Sequence, residues 1–173
     1  YFVSNNACLA HKRLIVIDPD GGKQPMIEHT SFGDYVICYN GQIYNAKELR
    51  EVLIQNGFTF KGHCDTEVIL KGYIHFGKNI VQHLNGIFAF AIWDTRNHEL
   101  FMARDHLGVK PLFYSIFQNT LLFASEIKAI FEYPGVEKII DSQGISELLG
   151  IGPSHTPGTT VFKNIYELKP AHF

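Results

Sequence analysis

The sequence predicts a layered α+β fold in which antiparallel sheets are sandwiched between helices. Three observations carry that expectation. Ile87–Trp93 is an unbroken apolar run, the pattern of a strand covered on both faces. It is followed by a hairpin partner, Leu100–Ala103, and by a second hairpin, Leu112–Ile116 with Leu121–Ala124. Helical periodicity is confined to separate blocks before and after these strands, which favours helices lying over sheets.

Taken in order, Ala7–Ile17 reads as strand, polar break and strand, with the break at His11-Lys12-Arg13, and Asp18–Gly22 closes it as a turn. An arginine between two strands is either on a rim or bound bidentately to a carboxylate. Tyr35–Asn40 is a strand. A helix follows from Ala46 to Asn56, with Asn45 as N-cap, Leu49, Val52 and Leu53 as its apolar stripe and Gly57 as its stop. The next helix opens at Asp65-Thr66-Glu67, buries Val68, Ile69, Tyr73 and Phe76, and ends at Gly77. Asp65 is a good N-cap by type, and equally a carboxylate suited to a ligand ammonium. Asp94–Asn97 turns the first hairpin and Gln118-Asn119-Thr120 the second. Ser125 is expected to cap a short helix through Phe131, and Asp141 a helix over Ser142–Leu149, before a Gly-Pro-rich loop from Gly150 to Gly158.

At 173 residues the chain fits one domain with one substantial core. A net charge of −2 supplies no electrostatic footprint for nucleic acid or an anionic membrane. No apolar run reaches the ~18 residues of a membrane span, and the opening Tyr-Phe-Val-Ser-Asn-Asn lacks signal-peptide character. Three cysteines, Cys8, Cys38 and Cys64, have no CxxC spacing, which points to a reducing cytoplasm, with Cys8 and Cys38 expected as buried thiols inside strands. Nine histidines form no HxxxH or HxH pair, so no metal site is expected. The first residue is Tyr1 and a strand-like pattern begins almost at once, as in a piece of a longer protein.

The chemistry is expected at Asn40-Gly41, where the β-rich run Tyr35–Tyr39 stops. An Asn-Gly pair between β-type segments is a strong tight-turn signal, because both residues tolerate positive φ. The same pair can aim a side-chain amide and a backbone N–H at one point, the arrangement that holds an oxyanion.

Eight collinear motifs narrow the choice: His11-Lys12-Arg13-Leu14; Ile17-Asp18 with Gly22 and Gln24-Pro25-Met26; Asn40-Gly41-Gln42-Ile43-Tyr44-Asn45; Glu48-Leu49-Arg50; Asp65-Thr66-Glu67-Val68-Ile69-Leu70; Gly86–Ala91; Arg104-Asp105-His106-Leu107-Gly108-Val109-Lys110-Pro111-Leu112; and Ser125–Ala129. In order and spacing the chain resembles class II glutamine amidotransferase domains, most of all the glutaminase domain of asparagine synthetases. The resemblance implies a four-layer αββα N-terminal-nucleophile hydrolase sandwich spanning residues 1–173. It implies an N-terminal cysteine attacking the glutamine amide, with ammonia passed to a C-terminal synthetase domain of the same chain. That domain uses ATP and Mg to adenylate aspartate, and no cofactor is expected in the glutaminase domain. A homodimer is among the assemblies the resemblance allows.

Residue by residue, it gives Arg13 the glutamine α-carboxylate, Leu14 and Val16 backbone contacts, Asn40 and Gly41 the oxyanion hole, and Asp65 the substrate ammonium. Gln42 stands where the family usually has Glu, so ammonium recognition falls more heavily on Asp65. No cysteine lies at the N-terminus, and the three internal ones have no α-amino group of their own to activate them. The 173 residues by themselves are therefore expected to be inactive. Two other readings stay open: a structural domain without nucleophile in a related synthetase, and the glutaminase domain of another class II amidotransferase.

Overall fold

A computed structural model of the chain describes residues 1–12, 21–152 and 156–173. The chain forms two units, Tyr1–Ala103 and Arg104–Phe173. In the first, β1 (Phe2–Val3) pairs antiparallel with β2 (Cys8–Leu9). The second half of the strand expected through Ile17, and Arg13, Leu14 and Val16 with it, lie outside the described residues.

β3 (Met26–Thr30) and β4 (Gly33–Ile43) form a hairpin, and α1 (Ala46–Gln55) and α2 (Asp65–Phe76) follow. After a 3-10 segment over Gly77–His83 come β5 (Gly86–Asp94) and β6 (Glu99–Arg104), completing an antiparallel sheet in the order β3-β4-β5-β6. Asn40-Gly41 is not a turn. β4 runs straight through it to Ile43, pairing Asn40 with Ala89, Gly41 with Phe88 and Ile43 with Gly86. The turn propensity is overridden because β5 offers a full-length partner. Glycine is required on both sides of that pairing: a Cβ on Gly41 (φ +154°) would sit 2.2 Å from the Ile87 carbonyl oxygen, and one on Gly86 2.2 Å from that of Gln42.

Strand alternation places Ile37, Tyr39 and Ile43 in one core with Phe88, Phe90 and Ile92 of β5. Leu49 and Leu53 of α1 and Val68, Ile69, Leu70 and Tyr73 of α2 complete that core. Val52, expected in the α1 stripe, is 42% exposed, because Leu49 and Leu53 at i,i+4 already cover the contact and Val52 falls on the flank. Asn45 occupies the N-cap position, but its side chain does not cap. Instead Nδ2 donates to the His83 carbonyl (2.9 Å) and Oδ1 accepts from the Asn85 N–H (2.9 Å), tying the start of α1 to the approach of β5. α2 is buried from Thr66 to Tyr73 and carries two charged residues inside. Glu67 accepts from the Lys61 and Gly62 N–H groups (2.8 and 2.9 Å), and Lys71 pairs with Glu28 at 2.7 Å and with Glu67 at 3.6 Å. Burial is tolerable only because each charge is met by an opposite charge and by hydrogen bonds.

In the second unit, β7 (Phe113–Phe117) and β8 (Thr120–Ala124) form the expected hairpin. α3 (Ile127–Ile130) and α4 (Ser142–Ile151) follow, and β9 (Tyr166–Glu167) closes a sheet in the order β8-β7-β9. Ser125 does not cap α3. Glu126 holds that position without a side-chain bond, and the helix is a single turn that begins one residue later than its pattern suggests. Asp141 does cap α4, accepting from the Gly144 N–H at 2.9 Å. The Arg104–Leu112 motif organises this unit. The Arg104 guanidinium donates to the carbonyls of Lys110 (2.7 Å), Leu168 (2.6 Å) and Gly108 (2.6 Å) and pairs with Glu167 at 2.9 Å. Asp105 accepts from the N–H groups of Leu107, Val109 and Lys110 at 3.0, 3.0 and 3.1 Å.

Gly86→Ala should lower stability by about 2–4 kcal/mol, because the clash is with the Gln42–Ile43 backbone of β4, which cannot swing aside as a side chain can. Gly150→Ala, in α4 with nothing within 4 Å of the added carbon, should raise it by roughly 0.5–1 kcal/mol. Urea denaturation of the two variants checks both signs; equal effects would refute the close-approach account.

Candidate functional site

β3 pairs with β4 only as far as Met26 opposite Ile37. In that register Pro25 would face Cys38 and Gln24 would face Tyr39 at the next hydrogen-bonded position, but the backbone pairing ends at Met26. The Gln24 side chain takes over. Its Nε2 donates to the Tyr39 carbonyl (2.9 Å) and its Oε1 accepts from the Tyr39 N–H (2.6 Å), so a primary amide stands in for a peptide group. Both backbone groups of Tyr39 thus point away from β5. Since successive residues alternate, the N–H groups of Gly41 and Ile43 point to that same outer edge. The Ile43 N–H is taken by Asp65 Oδ2 at 3.0 Å. The Gly41 N–H lies between these two anchored positions, beyond the reach of β3.

Asp65 is not the cap of α2. Cys64 holds the N-cap position and Asp65 is the first helical residue, its carboxylate turned to β4. There Oδ2 also accepts from the Tyr39 hydroxyl at 2.6 Å, a short charge-assisted bond. Burial, reinforced by the adjacent Asp65 carboxylate, pushes the Tyr39 hydroxyl well above the ordinary tyrosine range, so it stays protonated and donates. The loop before α2 is fixed from both sides: Arg50 donates to the Gly62 carbonyl (2.8 Å) and stacks over Phe60 at 4.2 Å, while Glu67 holds Lys61 and Gly62. Asn40 is half-buried and Gln42 exposed, both on β4. The structure therefore brings Asn40, Gly41, Gln42 and Asp65 to one end of one sheet, and Arg13, Leu14 and Val16 lie outside the described residues.

A family model described as the glutamine amidotransferase domain matches residues 1–173. The chain belongs to this family. It is 49% identical over 168 residues to asparagine synthetase [glutamine-hydrolyzing] 3 of Bacillus subtilis, covering 97% of this chain and 27% of that protein. It is 34% identical over 177 residues to asparagine synthetase [glutamine-hydrolyzing] 2 of the same organism, covering 100% and 23%. The chain thus spans about a quarter of the length of these relatives. A solved structure of glutamine phosphoribosylpyrophosphate amidotransferase from B. subtilis with ADP and GMP superposes with a TM-score of 0.56 and 28% identity, covering 62% of this chain and 25% of that one. The antiparallel sheets, the helices and this likeness agree with the αββα N-terminal-nucleophile hydrolase class.

Three details of this amidotransferase domain differ from or extend the sequence reading. Cys8 is exposed, not buried, because β2 is only two residues long and Cys8 faces outward on it. Cys38 is half-buried with its thiol within 3.8 Å of the Ala10 carbonyl, and burial pushes it up to about 12. Gln24 and Tyr39 are not marked as site residues by residue type. The signals were a glutamine directly before a proline, in register with the last tyrosine of an apolar strand. A cleft of about 490 Å³ in the second unit, lined by Tyr114, Tyr166, Lys169 and His172 among others, contains none of the predicted site residues. Among the described residues no group of three or more His, Cys, Asp and Glu could hold a metal, and no helix is long and apolar enough to cross a membrane.

With its thiol at about 12, Cys38 is only about one part in 10⁴ thiolate at pH 8. Because this value is raised above the unfolded one, the associated stability is full below about pH 9 and is lost as pH climbs toward 12. Brief iodoacetamide treatment of the native protein at pH 8 should modify Cys8 and spare Cys38 and Cys64. Peptide mass spectrometry showing Cys38 labelled as fast as Cys8 would contradict this.

Proposed function

We propose that the chain is the glutaminase domain of a glutamine-hydrolysing asparagine synthetase. The observation that carries this reading is the outer edge of β4. There the Gly41 N–H is two residues, about 7 Å, from the Ile43 N–H to which Asp65 is bound. An extended glutamine spans about 6 Å from its ammonium to its amide oxygen by standard bond lengths. One edge thus offers an acceptor for the ammonium and a donor for the amide oxygen, within reach of one glutamine.

In this reading Asp65 binds the α-ammonium, with Gln42 contributing a neutral contact, and Arg13 binds the α-carboxylate beside the backbone of Leu14 and Val16. An N-terminal cysteine thiolate, supplied from outside Tyr1–Phe173, attacks the amide carbon. The carbonyl electron pair moves onto oxygen, where the Gly41 N–H and the Asn40 side-chain amide stabilise it. The cysteine's own α-amino group takes the thiol proton and returns it to the leaving nitrogen, so the C–N bond breaks and ammonia departs. Water then cleaves the thioester, giving glutamate and the free thiol.

The domain is the glutaminase part of a longer cytoplasmic protein whose C-terminal synthetase domain consumes the ammonia to amidate aspartate. ATP and Mg²⁺ belong to that domain, and no step in this one passes through them. The identities to two glutamine-hydrolysing asparagine synthetases, each matched over about a quarter of its length, support this parentage.

Tyr1–Phe173 alone should give no sustained glutamate release, and a form extended upstream to an N-terminal cysteine should give it. Release by the 173 residues themselves would overturn the assignment of the nucleophile. In the active form Asn40→Ala should lower kcat by about 10²–10³ while changing KM little. A kcat within a few-fold of the parent would return Asn40 to a purely structural place in β4.

A further inference from the structure

We propose that Tyr39 is a positioning residue for glutamine recognition, its hydroxyl fixing the Asp65 carboxylate in the orientation that reads the substrate ammonium. The proposal rests on the reading of Asp65 given under Proposed function and adds what holds Asp65 in place. Aspartate has two rotatable side-chain bonds, and at the first residue of a helix its favoured local use is toward the free N–H groups of the first turn. Here that use is absent, and the carboxylate is drawn across to β4 instead.

Two donors do this, and they differ in kind. The Ile43 N–H is fixed by the strand itself. The Tyr39 hydroxyl stands on a ring that is 4% exposed and locked in the core with Ile37, Val68 and Phe90. Both donors fall on Oδ2, which leaves the carboxylate able to turn its other oxygen only about a narrow axis. Tyr39 is itself immobilised, because Gln24 holds its N–H and its carbonyl together. Tyr39 therefore joins the two halves of the site. Its backbone precedes Asn40-Gly41 directly, and its hydroxyl holds the group that binds the other end of the substrate.

The consequence is a specificity effect confined to the ammonium end of the ligand. With Gln42 uncharged, Asp65 is the one formal counter-charge among the described predicted site residues. Tyr39→Phe keeps the ring and its packing and removes only the oxygen. A tyrosine that merely fastened β4 to α2 would, on losing its hydroxyl, weaken binding of any ligand at the site equally or not at all.

The test uses the full-length gene product with its N-terminal cysteine replaced by alanine, so that glutamine is bound and not consumed, and two ligands, glutamine and glutaramate, which retains the carboxylate and the side-chain amide and lacks the α-amino group. Calorimetric titration should show this parent preferring glutamine. Tyr39→Phe should bind glutamine roughly 5- to 30-fold more weakly and glutaramate within about two-fold of the parent. In an Asp65→Asn background the same substitution should have almost no further effect on glutamine, the non-additivity expected of residues acting as a unit. Equal weakening of both ligands, or unchanged glutamine affinity, overturns the positioning role while leaving the glutaminase reading intact. A parent that binds both ligands equally overturns the Asp65 assignment, and the role of Tyr39 falls with it.

Discussion

Where β3 stops at Met26, β4 continues to Ile43 with β5 as its one strand partner among the described residues, and that asymmetry creates the donor edge on which the candidate site depends. An unpaired strand edge is normally a liability, a row of backbone groups open to any other strand. Here each exposed position is assigned: Gln24 closes Tyr39, Asp65 closes Ile43, and the Gly41 N–H between them is the group the proposed chemistry requires. The other edge of β4 is bound to β5 through glycines at 41 and 86, where any Cβ would strike backbone. A donor set into a sheet in this way cannot turn away from its target, which is the condition for stabilising developing charge without reorganisation cost.

The polar anchoring around Asp65 extends outward in the same style. Glu67, in the same first turn of α2, holds the preceding loop by two N–H groups, Lys71 neutralises it and reaches Glu28 of β3, and Arg50 fastens the loop from α1. Each buried charge has both an opposite charge or a backbone partner and a fixed neighbour. Removing any single partner would strand a charge in the interior at a cost of about 3–5 kcal/mol, so the network is unforgiving of partial loss. A helix buried almost all round thus keeps its N-terminal residue at a set height against β4.

Much of this architecture was legible in the sequence, and the exceptions share a cause. The continuous apolar run fixed β5, the spacing of Leu49 and Leu53 fixed α1, and Asp141 capped α4 as its type suggests. The failures at Asn40-Gly41, Asn45 and Asp65 came where a local rule about turns or caps met a partner distant in sequence, and the one at Ser125 from a helix that starts a residue later. Asn-Gly was drawn into a strand by β5, Asn45 was recruited by His83 and Asn85, and Asp65 by Tyr39 and Ile43. Short polar side chains are those whose local options are closest in energy to a tertiary bond, so they are where pattern reading loses to packing. Gln24 and Tyr39 were invisible for the complementary reason: neither residue type advertises chemistry, and their importance comes from the register that sets them opposite each other.

The motif most distinctive to the eye, Arg104-Asp105 through Leu112, has an architectural explanation that needs no ligand. Arg104 is 7% exposed and spends its guanidinium on three carbonyls and one carboxylate, while Asp105, 1% exposed, gathers three N–H groups of the loop that follows it. Lysine offers a point charge and cannot span the carbonyls of Gly108, Lys110 and Leu168 together, so the planar fork is what the loop demands. Gly108 at φ +66° sits so near that a Cβ would fall 3.1 Å from the Arg104 guanidinium carbon. A run of charged residues around glycine and proline reads on paper like a binding loop. Its donors and acceptors are instead consumed in closing the loop onto the segment from Glu167 to His172, so how recognisable a motif is and how reactive it is are separate properties, and only the hydrogen-bond ledger of each polar atom tells them apart.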